Sequence, residues 1–181
     1  MSPPFHVLFL CTGNSARSIL AEALVNHRGQ GRFTGSSAGS HPKGDVHPLA
    51  IETLRRFGVP STGLRSKSWD EFAGPSAPAV QFVITVCDRA AGEVCPIWPG
   101  SPMTAHWGVE DPAAVDGDEE TKLRAFERAF RELDDRIGLL TSLRIETLEP
   151  LALRHELKAI GTIRATNADV TSLPGPRRER A

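Results

Sequence analysis

Apolar residues along this chain fall into two kinds of run. Phe5-His6-Val7-Leu8-Phe9-Leu10 and Val80-Gln81-Phe82-Val83-Ile84-Thr85-Val86 are nearly continuous, the pattern of strands covered on both faces in a parallel sheet. Elsewhere the spacing goes by threes and fours: Ile19, Leu20, Ala23 and Leu24 after Ser18, then Ala50, Thr53, Leu54 and Phe57 after Pro48, then Leu123, Phe126, Phe130, Leu133, Ile137 and Leu140 from Thr121 onward. Each stripe predicts a helix with one buried face. Arg32 to Ala38 and Met103 to Trp107 read as two further strands, and Leu148, Leu151, Leu157 and Ile160 predict a helix over about 146–161. Turns fall at Gly29 to Gly31, at Gly39 to Gly44, at Gly58 with Pro60, and at Gly74-Pro75-Ser76-Ala77-Pro78.

Strands alternating with helices predict right-handed βαβ crossovers. The expected fold is therefore α/β, a three-layer α/β/α domain on a four-stranded parallel sheet, with its site at the carboxyl ends of the strands. That domain is expected over residues 1–163. From Arg164 the composition turns polar, with Pro and Gly, and residues 164–181 read as a flexible tail.

The first strand runs straight into Cys11-Thr12-Gly13-Asn14-Ser15-Ala16-Arg17-Ser18 and then a helix. Backbone N–H groups of a loop wound before a helix N-terminus converge on one point, where the helix dipole adds positive potential. Residues 12–18 thus form a candidate oxyanion cradle. Arg17 adds a planar charged fork able to hold two oxygens at once. Cys11 lies at the floor of that field, where thiol pKa values fall and a thiolate nucleophile becomes available; Ser18 is placed to donate a hydrogen bond to it. A nucleotide-binding loop is excluded by the missing Gly-Lys-Ser/Thr ending. The plainer alternative for Cys11 is a buried cysteine ending a strand.

Charge adds exclusions. With 21 Lys and Arg against 22 Asp and Glu, the chain lacks the basic surplus of a nucleic-acid-binding protein. The first apolar run is too short for a signal peptide, and no segment approaches the ~20 apolar residues of a membrane helix. A cytoplasmic location is expected, where the three cysteines are more readily catalytic, redox-cycling or buried than disulfide-bonded. No Cys-x2-Cys or His-x3-His spacing occurs, so neither a metal nor another cofactor is expected.

The stretches Val7 to Ser18, Ser36-Ser37-Ala38-Gly39-Ser40, Val83 to Cys87, Cys95-Pro96, and His106-Trp107-Gly108-Val109-Glu110-Asp111-Pro112 resemble the low-molecular-weight protein tyrosine phosphatase fold, and within it the arsenate reductases. The resemblance covers roughly residues 5 to 140. It implies a sequence of thiol steps: Cys11 attacks arsenate while Asp111 supplies a proton, Cys87 attacks Cys11 and releases arsenite, and Cys95 attacks Cys87. The Cys87–Cys95 disulfide then goes to thioredoxin, with glutathione and glutaredoxin as the alternative donor. Disulfide geometry requires Cα atoms within ~7 Å, so Asp88 to Val94 must bend or unwind; Ala90, Ala91 and Gly92 suit such a segment.

Both branches of the family share the nucleophilic Cys, the Arg and the Asp-Pro, whereas reduction by two electrons needs the further thiols. Phosphatases of the fold typically carry a second cradle Cys and an aromatic after Asp-Pro, where this chain has Ala16 and Ala113. A phosphatase and a non-catalytic arsenic-binding sensor remain the other readings. The plainer alternative for Asp111 is the start of a turn, and for Cys95 a small buried hydrophobe. Asn14 and Ser37 are expected to brace the cradle, Lys67 and Arg89 to be solvated, and His106 and Trp107 to pack. In some family members a cation lies beneath the cradle, near positions matching Asn14, Glu22 and Ser37; the resemblance leaves open whether Lys67 takes its place here or a potassium ion binds.

Overall fold

A computed structural model describes residues 2–164. Four strands, β1 (Phe5–Leu10), β2 (Phe33–Ala38), β3 (Phe82–Thr85) and β4 (Met103–His106), alternate with helices α1 (Arg17–Arg28), α2 (Pro48–Arg56), α3 (Asp88–Gly92), α4 (Glu119–Ser142) and α5 (Pro150–Ile160). The sheet is all parallel in the order β2-β1-β3-β4. The two continuous apolar runs thus become its inner strands, as burial on both faces demands.

Alternate residues of β1 feed separate cores. Val7 and Phe9 join the larger cluster with Leu20, Leu54, Phe126, Leu133 and Leu157, beneath α1, α2, α4 and α5. Leu8 and Leu10 meet Phe72, Val80, Val83 and Trp98 on the other face. That second outer layer is thin, built from the short 3-10 turn Trp69–Phe72 and loops rather than from long helices.

The structure differs from the expected elements in two places. The helix expected over 146–161 is α5 alone, begun by Pro150 and preceded by a separate 3-10 turn at Ile145–Thr147. Proline lacks an N–H and suits a first helical position, which sets the start there. α3 has no counterpart among the predicted helices, because five residues cannot show a 3.6-residue stripe. Of the tail expected over 164–181, residues 165–181 lie outside the described residues.

α5 docks on β4. Trp107 is fully buried and its Nε1 donates to Leu157 O at 2.9 Å. The buried Arg136 of α4 donates to Trp107 O at 3.0 Å and to Gly108 O at 3.2 Å, with Glu132 as its ion partner at 2.5 Å. This clamp fixes the segment that carries Val109 and Asp111 toward the strand ends.

Candidate active site

Cys11 is the last residue the sheet holds, its N–H bonded to Ala38 O at 3.2 Å. Beyond it the loop turns its carbonyls outward. Thr12 O accepts from His41 N–H and Gly13 O from Lys43 N–H, both at 3.0 Å, and Ser15 O accepts from His47 N–H at 2.8 Å. Because a peptide's N–H points away from its carbonyl, the amides face inward. Among the described residues, the N–H groups of Asn14, Ser15, Ala16 and Arg17 have no backbone acceptor. Ala16, the N-cap of α1, brings no capping side chain, so the first-turn donors remain open to an anion. Segment 39–47 can lie this close because residue 39 is glycine: a Cβ there would stand 2.4 Å from Thr12 O and 2.7 Å from Cys11 O.

A polar network braces the loop from beneath. Asn14 has a left-handed backbone, φ 41°, a region Asn tolerates better than most residues. Its Nδ2 donates at 2.9 Å to both Ser18 Oγ and Ser37 Oγ, and its Oδ1 accepts from Lys67 N–H at 2.8 Å. Ser37 donates to Glu22, and Lys67 Nζ lies 3.3 Å from Glu22 Oε2 and 3.2 Å from Arg65 O. Two expectations are corrected here. Lys67 is buried and ion-paired beneath the cradle rather than solvated. Ser18 Oγ is engaged with Asn14, not with Cys11.

Above the loop, Arg17 is aimed by the segment after β4. Its Nη1 donates to Val109 O at 3.0 Å and its Nη2 lies 3.2 Å from Asp111 Oδ2. Asp111 Oδ1 also caps the turn at Pro112–Ala114, accepting from Ala113 N–H at 3.0 Å. Arg17 Nε is buried without a partner among the described residues, a cost unless something accepts from it. An oxyanion in the cradle would. Cys11, Thr12, Gly13, Ser15, Ala16 and Arg17 all line one cleft of about 640 Å³.

Cys87, just beyond β3, lines the same cleft as Cys11. Burial and the neighbouring sulfur push the Cys11 thiol up, against the pull of Arg17 and the Gly13 N–H. Cys11 is the first influence pulling Cys87 down to about 5, helped by the Ala90 and Thr12 N–H groups. The two thiols thus titrate as a pair, one pushed up and the other down. Moving a proton from Cys11 to Cys87 makes Cys11 the nucleophile.

Cys95 is not brought to this cleft. It lines a second groove, of about 1130 Å³, together with Trp98, Thr104 and His106, and its Sγ donates to Glu93 O at 3.7 Å. α3 separates the two openings, and Cys87 Sγ caps it by accepting from Ala90 N–H at 3.3 Å. Of the pair expected to pack, Trp107 does, but His106 is half-exposed and polar in its contacts: Nδ1 lies 2.8 Å from Thr85 Oγ1 and Nε2 2.9 Å from Asp88 Oδ1. Glu93, which sequence reasoning passed over, accepts from Thr12 Oγ1 at 3.2 Å. Its position between Cys87 and Cys95 was the available signal.

A thiol beneath a ring of backbone amides, with an arginine overhead and a carboxylate at the rim, defines an oxyanion-attacking site on a parallel α/β sheet. The family profile of low molecular weight phosphotyrosine protein phosphatases matches residues 6–149, and the chain belongs to that family. Within it, the chain is similar to the arsenate reductase of Halalkalibacterium halodurans, with 34% identity over 131 residues, 72% of this chain and 91% of that one. The crystal structure of an arsenate reductase from Archaeoglobus fulgidus superposes with TM-score 0.60 at 26% identity, over 76% of this chain and 99% of that one. A thioredoxin-dependent arsenate reductase of Corynebacterium glutamicum gives TM-score 0.51 at 29% identity, over 77% of this chain and 64% of that one.

Proposed function

We propose that this protein reduces arsenate to arsenite with Cys11, Cys87 and Cys95 and is returned to its thiol form by thioredoxin. The observation that carries the reading is that Cys87 lines the same cleft as Cys11 and its anion cradle. A phosphate ester needs one attacking thiolate, whereas reducing arsenic needs a second sulfur to take the first one away.

In the first step the Cys11 thiolate attacks arsenic, held by the loop amides and Arg17, and one oxygen leaves as water with a proton from Asp111. Cys87 then attacks Cys11 Sγ. The S–S bond forms, the S–As bond breaks with its electron pair left on arsenic, and arsenite departs. Cys95 next attacks Cys87 Sγ and frees Cys11. Since α3 stands between Cys87 and the groove of Cys95, this step requires α3 to unwind; a single short helix ended by Gly92 opposes that weakly. The Cys87–Cys95 disulfide is then exposed for thiol exchange.

Arsenate-dependent NADPH oxidation, coupled through thioredoxin and its reductase, tests the reading. Turnover in the unsubstituted chain and none in Cys87→Ser is expected. Turnover only with glutathione and glutaredoxin would change the donor. Hydrolysis of an aryl phosphate that Cys87→Ser leaves intact, without arsenate turnover in either protein, would make the site a phosphatase.

A further inference from the structure

Once Cys11 has bonded to arsenic, it has no S–H to offer. Its proton passes to Cys87, the thiol that lines the same cleft, and the neighbour that most favoured the Cys87 thiolate no longer does so. Cys87 is then a thiol, and the second step needs it ionised.

One chain of contacts leads a proton away. Thr12 Oγ1 lies 3.7 Å from Cys87 Sγ and gives its own hydrogen to Glu93 Oε1 at 3.2 Å. A hydroxyl has one proton, so while it points at Glu93, its lone pairs are what it presents to Cys87. Glu93 Oε2 is buried without a partner among the described residues. Of the carboxylates that line the cleft, Asp88 is held by His106 and Asp111 by Arg17 and the Ala113 N–H, while Glu110 is exposed and makes no hydrogen bond to Thr12 or Cys87.

We infer that Glu93, acting through the Thr12 hydroxyl, accepts the proton of Cys87 in the step that joins Cys87 to Cys11. This rests on the reductase reading above. The Cys87 proton moves to Thr12 Oγ1 as the Thr12 proton moves to Glu93, leaving a Cys87 thiolate and a protonated Glu93. The thiolate then makes the S–S bond and arsenic takes the electron pair. Glu93 returns its proton to solvent when α3 unwinds, because it stands one residue beyond that helix. Burial holds the Cys95 thiol up, and the Glu93 charge adds to this before it takes the proton. Besides Cys11, the charged and titratable groups lining the cleft around Cys87 are Arg17, His41, Lys43, Asp88, Arg89, Glu110 and Asp111.

The test uses the full chain with Cys95→Ser, which stops the thiol sequence at Cys11–Cys87. Reduced protein is mixed with arsenate, quenched with acid, alkylated, and followed by mass spectrometry from pH 6 to 9. Glu93→Gln can still accept from Thr12 but cannot take a proton. It should slow disulfide formation about a hundredfold at pH 7, the lower reach of general-base effects. The gap should close as pH rises and solvent ionises Cys87, and Glu93→Asp should restore most of the rate. Arsenate should protect Cys11 from iodoacetamide equally in all variants. A Glu93→Gln rate equal to that of the parent, or slowed by one constant factor at every pH, would overturn the role. If the parent itself forms no Cys11–Cys87 bond, the reductase reading falls, and this inference with it.

Discussion

Replacing Lys67 by Met keeps most of the stem's apolar bulk and removes the ammonium from beneath the cradle. The Lys67 and Glu22 side chains are only 6% and 12% exposed, so water cannot replace the lost partner. Breaking a buried pair from one side costs about 3–5 kcal/mol, because the remaining charge is stranded. For a domain of this size each kcal/mol moves the melting temperature by about 2–4 °C, so a fall of roughly 6–20 °C is expected. Urea unfolding followed by tryptophan fluorescence measures it. Glu22→Gln with Lys67→Met should cost less than the sum of the single changes by about 2 kcal/mol, since the double variant strands nothing. If Lys67→Met unfolds within about 1 kcal/mol of the parent, Glu22 is not relying on that ammonium and the bracing network has been misread. Lys67→Ala would leave room among the Glu22 and Ser37 oxygens for an alkali cation, so potassium chloride should raise its melting temperature and leave the parent's unchanged.

Three further outcomes are expected. Arg17→Lys exchanges a fork held by Val109 O and Asp111 for a point charge, and phosphate affinity by calorimetry should drop about 10- to 100-fold, the worth of one charge-assisted bond. Iodoacetamide labelling of the Cys11–Cys87 pair should persist at pH 6 and fade only as pH drops through about 5, where Cys87 gains its proton. Cys95, raised by burial and Glu93, should label only above the ordinary thiol range, and Cys11→Ala should shift Cys87 labelling upward in pH. Asn14→Ala loses three buried hydrogen bonds and places alanine at φ 41°, costing about 2–4 kcal/mol in urea; Asn14→Gly should be less damaging by roughly 1 kcal/mol, the backbone share alone.

What the sequence made legible was whatever depends on neighbours in the chain. Phe5 to Leu10 reads as an inner strand because both faces of β1 are apolar, and Cys11 to Ser18 reads as a cradle because a strand, a loop and a helix follow without interruption. His106 and Arg136 were opaque for the opposite reason, and Lys67 stayed undecided between a solvated charge and a stand-in for the cation. A lysine is solvated unless distant segments supply partners, and those of Lys67 include Glu22 from α1. His106 meets Thr85 and Asp88 only after β4 pairs with β3. Arg136 falls between Leu133 and Ile137 and looks like a surface charge until the carbonyls of Trp107 and Gly108 arrive beside it.

The outward-turned carbonyls of Thr12, Gly13 and Ser15 carry a consequence for selectivity. A ring of amide hydrogens and a guanidinium measures shape and charge, and arsenate and phosphate present the same tetrahedron of oxygens with the same charge. On the reductase reading, the cleft therefore admits both ions, and in a phosphate-rich surrounding it spends much of its time occupied by the wrong one. The choice is made afterwards, by whether the central atom will accept two electrons from sulfur. Arsenic will and phosphorus will not, so discrimination passes from recognition to Cys87.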